Sequence, residues 1–267
     1  MSSSSPPIVL TFAGSDPTGG AGLQADLLTL ASMGCHPLSV VTALTVQDTH
    51  GVESVDAVDS ARVRAQAERL LADMRVAAFK LGVLGSTANI EVIARILADY
   101  PDVPVVLDPV LASARGEALA SEHMLQALRE LLVPQATIVT PNSIEARRLA
   151  NDSSLTGCAQ RLLEFGTEYV LITGAHEAGE EVVNTLYDSG GVVREDRWQR
   201  LPGSYHGSGC TLASAIAAAL ANGLGMPEAV RDAQEFTWQA LAAGFKPGAG
   251  QFLPDRFFWS RDAQDEK

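Results

Sequence analysis

The sequence predicts an α/β fold with a mostly parallel central sheet covered by helices on both faces. Short β-branched and apolar runs alternate with helix-patterned stretches along most of the 267 residues. That alternation needs crossover connections, and therefore parallel strands buried on both sides. A hydrophobic content of 46% against 19% charged residues suits a globular chain with a substantial core.

In order, Ile8–Phe12 reads as a buried strand and Gly22–Ser32 as a helix, with Leu23, Leu27, Leu28 and Ala31 on one side. Ser39–Val46 reads as a strand, and Ala61–Met74 as a charged-faced helix capped by Ser60. Strands at Ala78–Leu81 and Val105–Leu107 enclose a helix at Asn89–Leu97. Ser121 is placed to cap a helix running to Leu131. Strand Ile138–Thr140, helix Ser143–Ala150 and strand Tyr169–Ile172 continue the pattern. Glu181–Tyr187 and Val192–Trp198, joined by Asp188-Ser189-Gly190-Gly191, form the one hairpin signal. Two helices follow, Cys210–Leu220 and Pro227–Gly244. No repeat, low-complexity tract or linker divides the chain. The expected organisation is a disordered tail at 1–7, one domain over 8–260 and a polar tail at 261–267.

With 19 basic and 32 acidic residues the net charge is −13, which argues against nucleic acid or an anionic membrane as a bulk-charge partner. The uncharged stretch from Thr211 to Pro227 holds Asn222, Gly223 and Gly225, so it reads as a buried helix and its turn and not a membrane span. Met1–Pro7 has neither a basic nor an apolar leader segment. The three cysteines, Cys35, Cys158 and Cys210, are widely spaced without zinc-ligand spacing, which points to a reducing cytoplasm.

In open α/β sheets, ligands collect at the carboxyl ends of the strands. One loop there reads YHGSGCT, Tyr205–Thr211. Its glycines admit close backbone approach. A helix beginning at Cys210 would turn free N–H groups and a positive dipole end toward the loop, as a phosphoryl group requires. The same field would lower the Cys210 thiol pKa and make it a better base. The plainer reading is a tight turn before a buried helix, with Cys210 as a small apolar residue. Asp108, Asn142 and Glu145 follow separate strands and could hold Mg²⁺ through water beside a nucleotide; alternatively they cap loops. Asp26 lies on the first helix. Gln47 ends the second strand and offers donors and an acceptor that suit an aminopyrimidine.

Other motifs are excluded or weak. No Gly-x4-Gly-Lys-Ser/Thr or Gly-x-Ser-x-Gly occurs. Gly20–Ala25 matches G-x-G-x-x-A, but the loop before it is too long for a dinucleotide fingerprint.

The stretches TFAGSDPTGGAGLQADLLT, VVTALTVQDTHGV, KLGVLGS, VLDPVL, TPNSIEA and HGSGCTLASAIAAAL occur in this order over nearly the whole chain. Together they resemble the hydroxymethylpyrimidine/phosphomethylpyrimidine kinases of thiamine biosynthesis, in the ribokinase superfamily. The resemblance implies a ribokinase-like three-layer sandwich with a small β lid element. It implies ATP-dependent phosphorylation of 4-amino-5-hydroxymethyl-2-methylpyrimidine to the monophosphate and then the diphosphate. By position it assigns Gly14, Asp26, Gln47 and Val83 to the pyrimidine pocket, and Gly207, Ser208 and Gly209 to an anion hole. It makes Cys210 the catalytic base, and places Asp108, Asn142, Glu145 and Thr173 around ATP and Mg²⁺, with Asp108 and Glu145 holding the metal through water. It also suggests a homodimer. Three stretches depart from the family pattern: Thr173-Gly174-Ala175-His176 for Lys-Gly-Gly-His, Ser113-Ala114-Arg115-Gly116-Glu117 for Ala-Lys-Ser-Gly-Asp, and Lys246–Gly250 around Gly248. A pyridoxal or pyridoxine kinase, a dinucleotide oxidoreductase and a non-catalytic pyrimidine-binding protein are the alternatives.

Overall fold

Side-chain alternation along the inner strands decides the layers. In the computed structural model, which describes residues 5–112 and 119–265, strand β1 (Ile8–Ser15) sends Leu10 and Phe12 to one apolar cluster and Val9 to another. The same split recurs in β4 (Ala78–Leu81), β5 (Val105–Leu107), β6 (Ile138–Val139) and β7 (Tyr169–Ile172). Phe79, Leu81, Val105, Leu107, Val139, Val170 and Ile172 face the first cluster; Ala78, Val106, Ile138 and Leu171 face the second. A period of two with both faces apolar is the signature of strands covered on both sides.

These strands join β2 (His36–Gln47), β3 (Val52–Ala57), β8 (Glu181–Asp188) and β9 (Gly191–Gln199) in one nine-stranded sheet, ordered β3-β2-β1-β4-β5-β6-β7-β8-β9. Pairing is parallel from β2 to β7 and antiparallel at both margins. The predicted hairpin is β8–β9. It continues the main sheet outward. Strand β3 is missing from the sequence expectation because VESVDA exposes most of both faces and has no period-two apolar set.

Helices α2 (Ser60–Leu71), α3 (Thr87–Ala98), α4 (Glu122–Ala127), α5 (Ser143–Ala150) and α6 (Leu155–Glu164) cover the first cluster. Helices α1 (Gly22–Ser32), α7 (Ser208–Ala221) and α8 (Met226–Ala242) cover the second, giving three layers. The cap of α2 is Asp59, whose carboxylate accepts from the Ala61 and Arg62 N–H groups, and not Ser60. Ser121 caps α4 as expected. Helix α6 was not expected, and neither was α9 (Phe258–Asp265), which occupies much of the supposed polar tail. No helix among the described residues is long and apolar enough to cross a membrane.

Helix α1 is rotated relative to the sequence expectation. Its buried residues are Leu23, Ala25, Asp26, Thr29 and Leu30, while Leu28 is exposed. A carboxylate is turned inward and a leucine outward. The reason lies in β4, where Lys80 occupies the α7-facing position opposite Thr11 of β1 and pairs with Asp26.

Asn89, fully buried near the start of α3, brings its side-chain N–H₂ to the carbonyls of Leu84 (2.9 Å), Thr42 (3.1 Å) and Val58 (3.2 Å). It ties the β4–α3 loop to β2 and to the β3–α2 turn. Asn89→Ala leaves the Leu84 and Val58 carbonyls without that donor, while Thr42 keeps the Val58 N–H, and is expected to lower stability by about 1–3 kcal/mol, measured as a shift in the urea midpoint at unchanged slope.

Candidate active site

The site begins with a buried charge pair. Lys80 Nζ lies 2.8 Å from Asp26 Oδ1, with both side chains at 0% exposure. The contact is ionic more than directional, because no well-aligned hydrogen bond from Nζ accompanies it. Asp26 accepts hydrogen bonds from Thr11 Oγ1 and Ser214 Oγ, each 2.7 Å. A Cβ on Gly82 would lie 2.8 Å from Lys80 Nζ, so the glycine leaves room for the ammonium. Coulombic attraction to Asp26 holds the lysine's pKa above its ordinary value, against the opposing effect of burial.

Above this pair starts α7. Its N-cap is Gly207, with φ +80°, and the helix opens at Ser208, so Cys210 stands third in the helix and does not begin it. A Cβ at Gly207 would fall 1.9 Å from the Gly20 carbonyl oxygen. Only glycine allows this approach, which brings the β1–α1 loop against the start of α7. The first N–H groups of α7 have no partner within the helix, an arrangement that could receive an anion.

Cys210 is half-buried. The expectation of a lowered thiol pKa is not met. Burial pushes the thiol up to about 12; Lys80 opposes the rise, Asp108 and Asp26 add to it, and the Gly22 N–H on sulfur opposes it. The resting group is a thiol chiefly because burial disfavours the charged sulfur, with Asp108 and Asp26 adding to the effect, factors absent from reasoning on the helix dipole alone.

Asp108 and Glu145 form the second charge centre. Asp108 is 4% exposed and its Oδ2 has no hydrogen-bond partner among the described residues. Burial pushes it up to about 6, opposed by Lys80 and the Cys210 thiol. Burial and the neighbouring Asp108 push Glu145 up to about 8, against hydrogen bonds from the Asn142 and Leu111 N–H groups. Asn142 and Glu145 make a reciprocal capping box on α5, so the plainer capping reading holds for both. Glu145 nonetheless faces Asp108. An orphaned buried carboxylate oxygen beside a second carboxylate kept partly protonated fits a hard divalent cation. No group of three or more His, Cys, Asp or Glu side chains among the described residues could hold a metal. A cation here would therefore draw its other ligands from water and phosphate.

The remaining predicted residues are spread around this centre. Gly14 is buried at the β1–β2 bulge, where an added Cβ would touch Ala43 and Val83, so Gly14 and Val83 border one space. Gln47, half-buried at the tip of β2, donates to Thr45 Oγ1 at 2.8 Å. Thr173 extends β7, bridges to Asn142, and accepts from the Ser143 N–H at 3.0 Å. Asp26 has no exposed surface and both its oxygens are engaged, so it lies beneath the site. The Ser113–Glu117 departure, with Arg115, lies outside the described residues.

Sequence reasoning missed four residues. Lys80 carried a signal, a charge inside the four-residue apolar strand AFKL. Asp16 and His206 join the two glycine loops, His206 Nε2 lying 2.9 Å from Asp16 Oδ2. Arg256, 3% exposed, reaches both loops from the C-terminal segment, where nothing in the pattern announces it.

An α/β sheet with an anion-binding helix start at its carboxyl edge, a thiol beside it and two carboxylates opposite defines a phosphotransferase site. The profile of the phosphomethylpyrimidine kinases matches residues 16–255. A hydroxymethylpyrimidine/phosphomethylpyrimidine kinase of Streptomyces coelicolor is 42% identical over 254 residues, covering 92% of each chain. Among solved structures, an ADP complex of Bacillus subtilis pyridoxal kinase has a TM-score of 0.84 and 31% identity, covering 96% of this chain and 100% of that one. The phosphomethylpyrimidine kinase of Clostridium difficile 630 has a TM-score of 0.77 and 33% identity, covering 88% and 99%. The chain belongs to the phosphomethylpyrimidine kinase family.

The raised Glu145 carboxyl has a signed consequence. Its ordinary value is 4.5 and its folded value about 8, so the folded protein binds the proton more tightly than the unfolded chain. Its contribution to stability is complete below pH 4.5 and is lost as pH rises toward about 8. Denaturant midpoints of the cation-free protein at pH 5 and pH 8 should therefore differ more than those of Glu145→Gln, which retains a neutral side chain at the cap.

Proposed function

We propose that this protein transfers the γ-phosphoryl group of ATP to the hydroxymethyl oxygen of 4-amino-5-hydroxymethyl-2-methylpyrimidine, and then a second phosphoryl group to the product. The observation that carries the reading is the placement of Cys210 on the first turn of α7, between the Gly207–Gly209 concavity and the Asp108–Glu145 carboxylates. Phosphoryl transfer needs little covalent chemistry from a protein and much positioning and charge stabilisation. The free N–H groups of α7 would receive the transferring phosphate. Gln47, Gly14 and Val83 would bound the pyrimidine ring, and Asn142 and Thr173 the nucleotide side.

Cys210 takes the hydroxyl proton as the oxygen attacks. Its sulfur must first be ionised, which Lys80 and the Gly22 N–H favour and Asp108 and Asp26 oppose. Mg²⁺ held by Asp108 and Glu145 would supply positive charge that answers those carboxylates and stabilises the phosphoryl oxygens. The second transfer differs because its nucleophile is a phosphate monoester, with a second pKa of about 6, already largely ionised near neutrality.

The test is mass spectrometry of products from ATP, Mg²⁺ and the pyrimidine, with pyridoxine in parallel. Monophosphate followed by diphosphate from the pyrimidine supports the reading. Phosphorylated pyridoxine with untouched pyrimidine moves the protein toward the pyridoxal kinases, which the likeness to the Bacillus subtilis structure keeps in view. Cys210→Ala should lower kcat of the first transfer by about 10²–10⁴-fold and the second far less. Equal losses would make the cysteine a positioning group.

We also infer a cytoplasmic homodimer. The three cysteines are free, and Leu44 and Val46 on the β2–β3 extension are 56% and 52% exposed on one face, a surface a second copy would cover. Sedimentation should show a dimer, and Leu44→Asp should shift it toward monomer.

A further inference from the structure

Arg256 is a buried cation with no carboxylate ion pair among the described residues. Its donors go elsewhere. Nη2 donates to the Gly20 carbonyl at 2.6 Å, Nη1 to the Gly19 carbonyl at 3.4 Å and Nε to Thr211 Oγ1 at 3.1 Å. Burial lowers its pKa to about 10, so the guanidinium stays charged at neutral pH.

The contacts converge on one peptide. The Gly20 carbonyl accepts from Arg256, while the Ala21 N–H of the same peptide unit donates to Asp16 Oδ2 at 2.7 Å. A cation and an anion thus grip opposite ends of one peptide dipole, and charge-assisted bonds are the strong ones. Asp16 Oδ2 also meets His206, next to the α7 cap. On the other side, Thr211 Oγ1 accepts from Arg256 and donates to the Gly207 carbonyl at 2.8 Å. Arg256 is itself anchored: its own carbonyl accepts from Ser32 Oγ at the end of α1.

We propose that Arg256 is a positioning residue for phosphoryl transfer, holding the Gly20–Ala21 peptide and the Gly207 cap of α7 at the separation where the acceptor oxygen meets the anion loop. The assignment rests on the functional reading above. It follows from the close approach of Gly20 and Gly207, which leaves no slack between the loops. A displaced Gly20 carbonyl moves the cap, and the cap carries the N–H groups that receive the phosphate. Arg256 touches no reacting atom; it acts through these two backbone segments.

The experiment compares wild type, Arg256→Met, Arg256→Lys and Thr211→Val in steady-state assays of the first phosphorylation. Each melting curve is recorded so that rates are taken per folded molecule. Arg256→Met should lower kcat by about 10-fold or more, as a misplacement of well under 1 Å would, with KM for the pyrimidine nearly unchanged. Arg256→Lys should recover part of kcat by restoring the charge and one donor. Thr211→Val keeps the guanidinium and breaks the link to Gly207; it should lower kcat by a smaller factor, and it serves if Arg256→Met fails to fold. Unchanged kcat per folded molecule in these variants, or a loss confined to KM, overturns the assignment while leaving the activity intact. A wild-type protein inert toward the pyrimidine overturns the functional reading and this assignment together.

Discussion

The ion pair between Lys80 and Asp26 is the constraint on which the rest of the site depends. Neither side chain reaches solvent, and the two stand 2.8 Å apart between α1, β4 and α7. Desolvating both charges is costly, and their attraction compensates only because Thr11 and Ser214 occupy the carboxylate oxygens. Removing either partner would leave a lone buried charge, a strongly destabilising change. The pair therefore fixes the rotation of α1 and the seat of α7, and it places a positive centre close enough to the Cys210 sulfur to favour its charged form.

That positive centre is balanced closely. Lys80 favours a charged sulfur; Asp108 and Asp26 disfavour it. The carboxylates facing α7 are themselves raised, Asp108 to about 6 and Glu145 to about 8. Such an arrangement holds more negative charge than its enclosure tolerates. It suits ligands that bring a cation with them.

Much of the fold was legible in the sequence, because a parallel sheet buried on both faces leaves a strong local record. The apolar runs that became β4, β5 and β7 were visible with their bounds, and those of β1 and β6 in part. Strand β3 was not, since a half-solvated edge strand needs no apolar alternation. The glycine loop before α7 and the carboxylates at the strand ends were legible for a related reason: turns and caps are written in few residue types. What escaped were properties created by contact across the chain. The inward turn of Asp26 depends on Lys80, more than fifty residues away. The raised thiol of Cys210 depends first on its burial by distant segments, and then on Asp108 and Asp26 brought beside it. Arg256 reaches the first loop from the far end of the chain, and no local periodicity encodes that reach.

Helix α7 carries a final consequence. Every residue from Thr211 to Ala219 is buried, and most are alanine. Alanine offers no long side chain that could change rotamer to absorb a tilt or a slide, and its neighbours sit close on all sides. The helix behaves as a fixed wall. Side-chain adjustment belongs instead to the opposite bank, where the exposed tip of β2 and the loop after it meet the C-terminal strap at Thr49 and Gln251, while the start of α7 is set by the backbone contacts at its Gly207 cap.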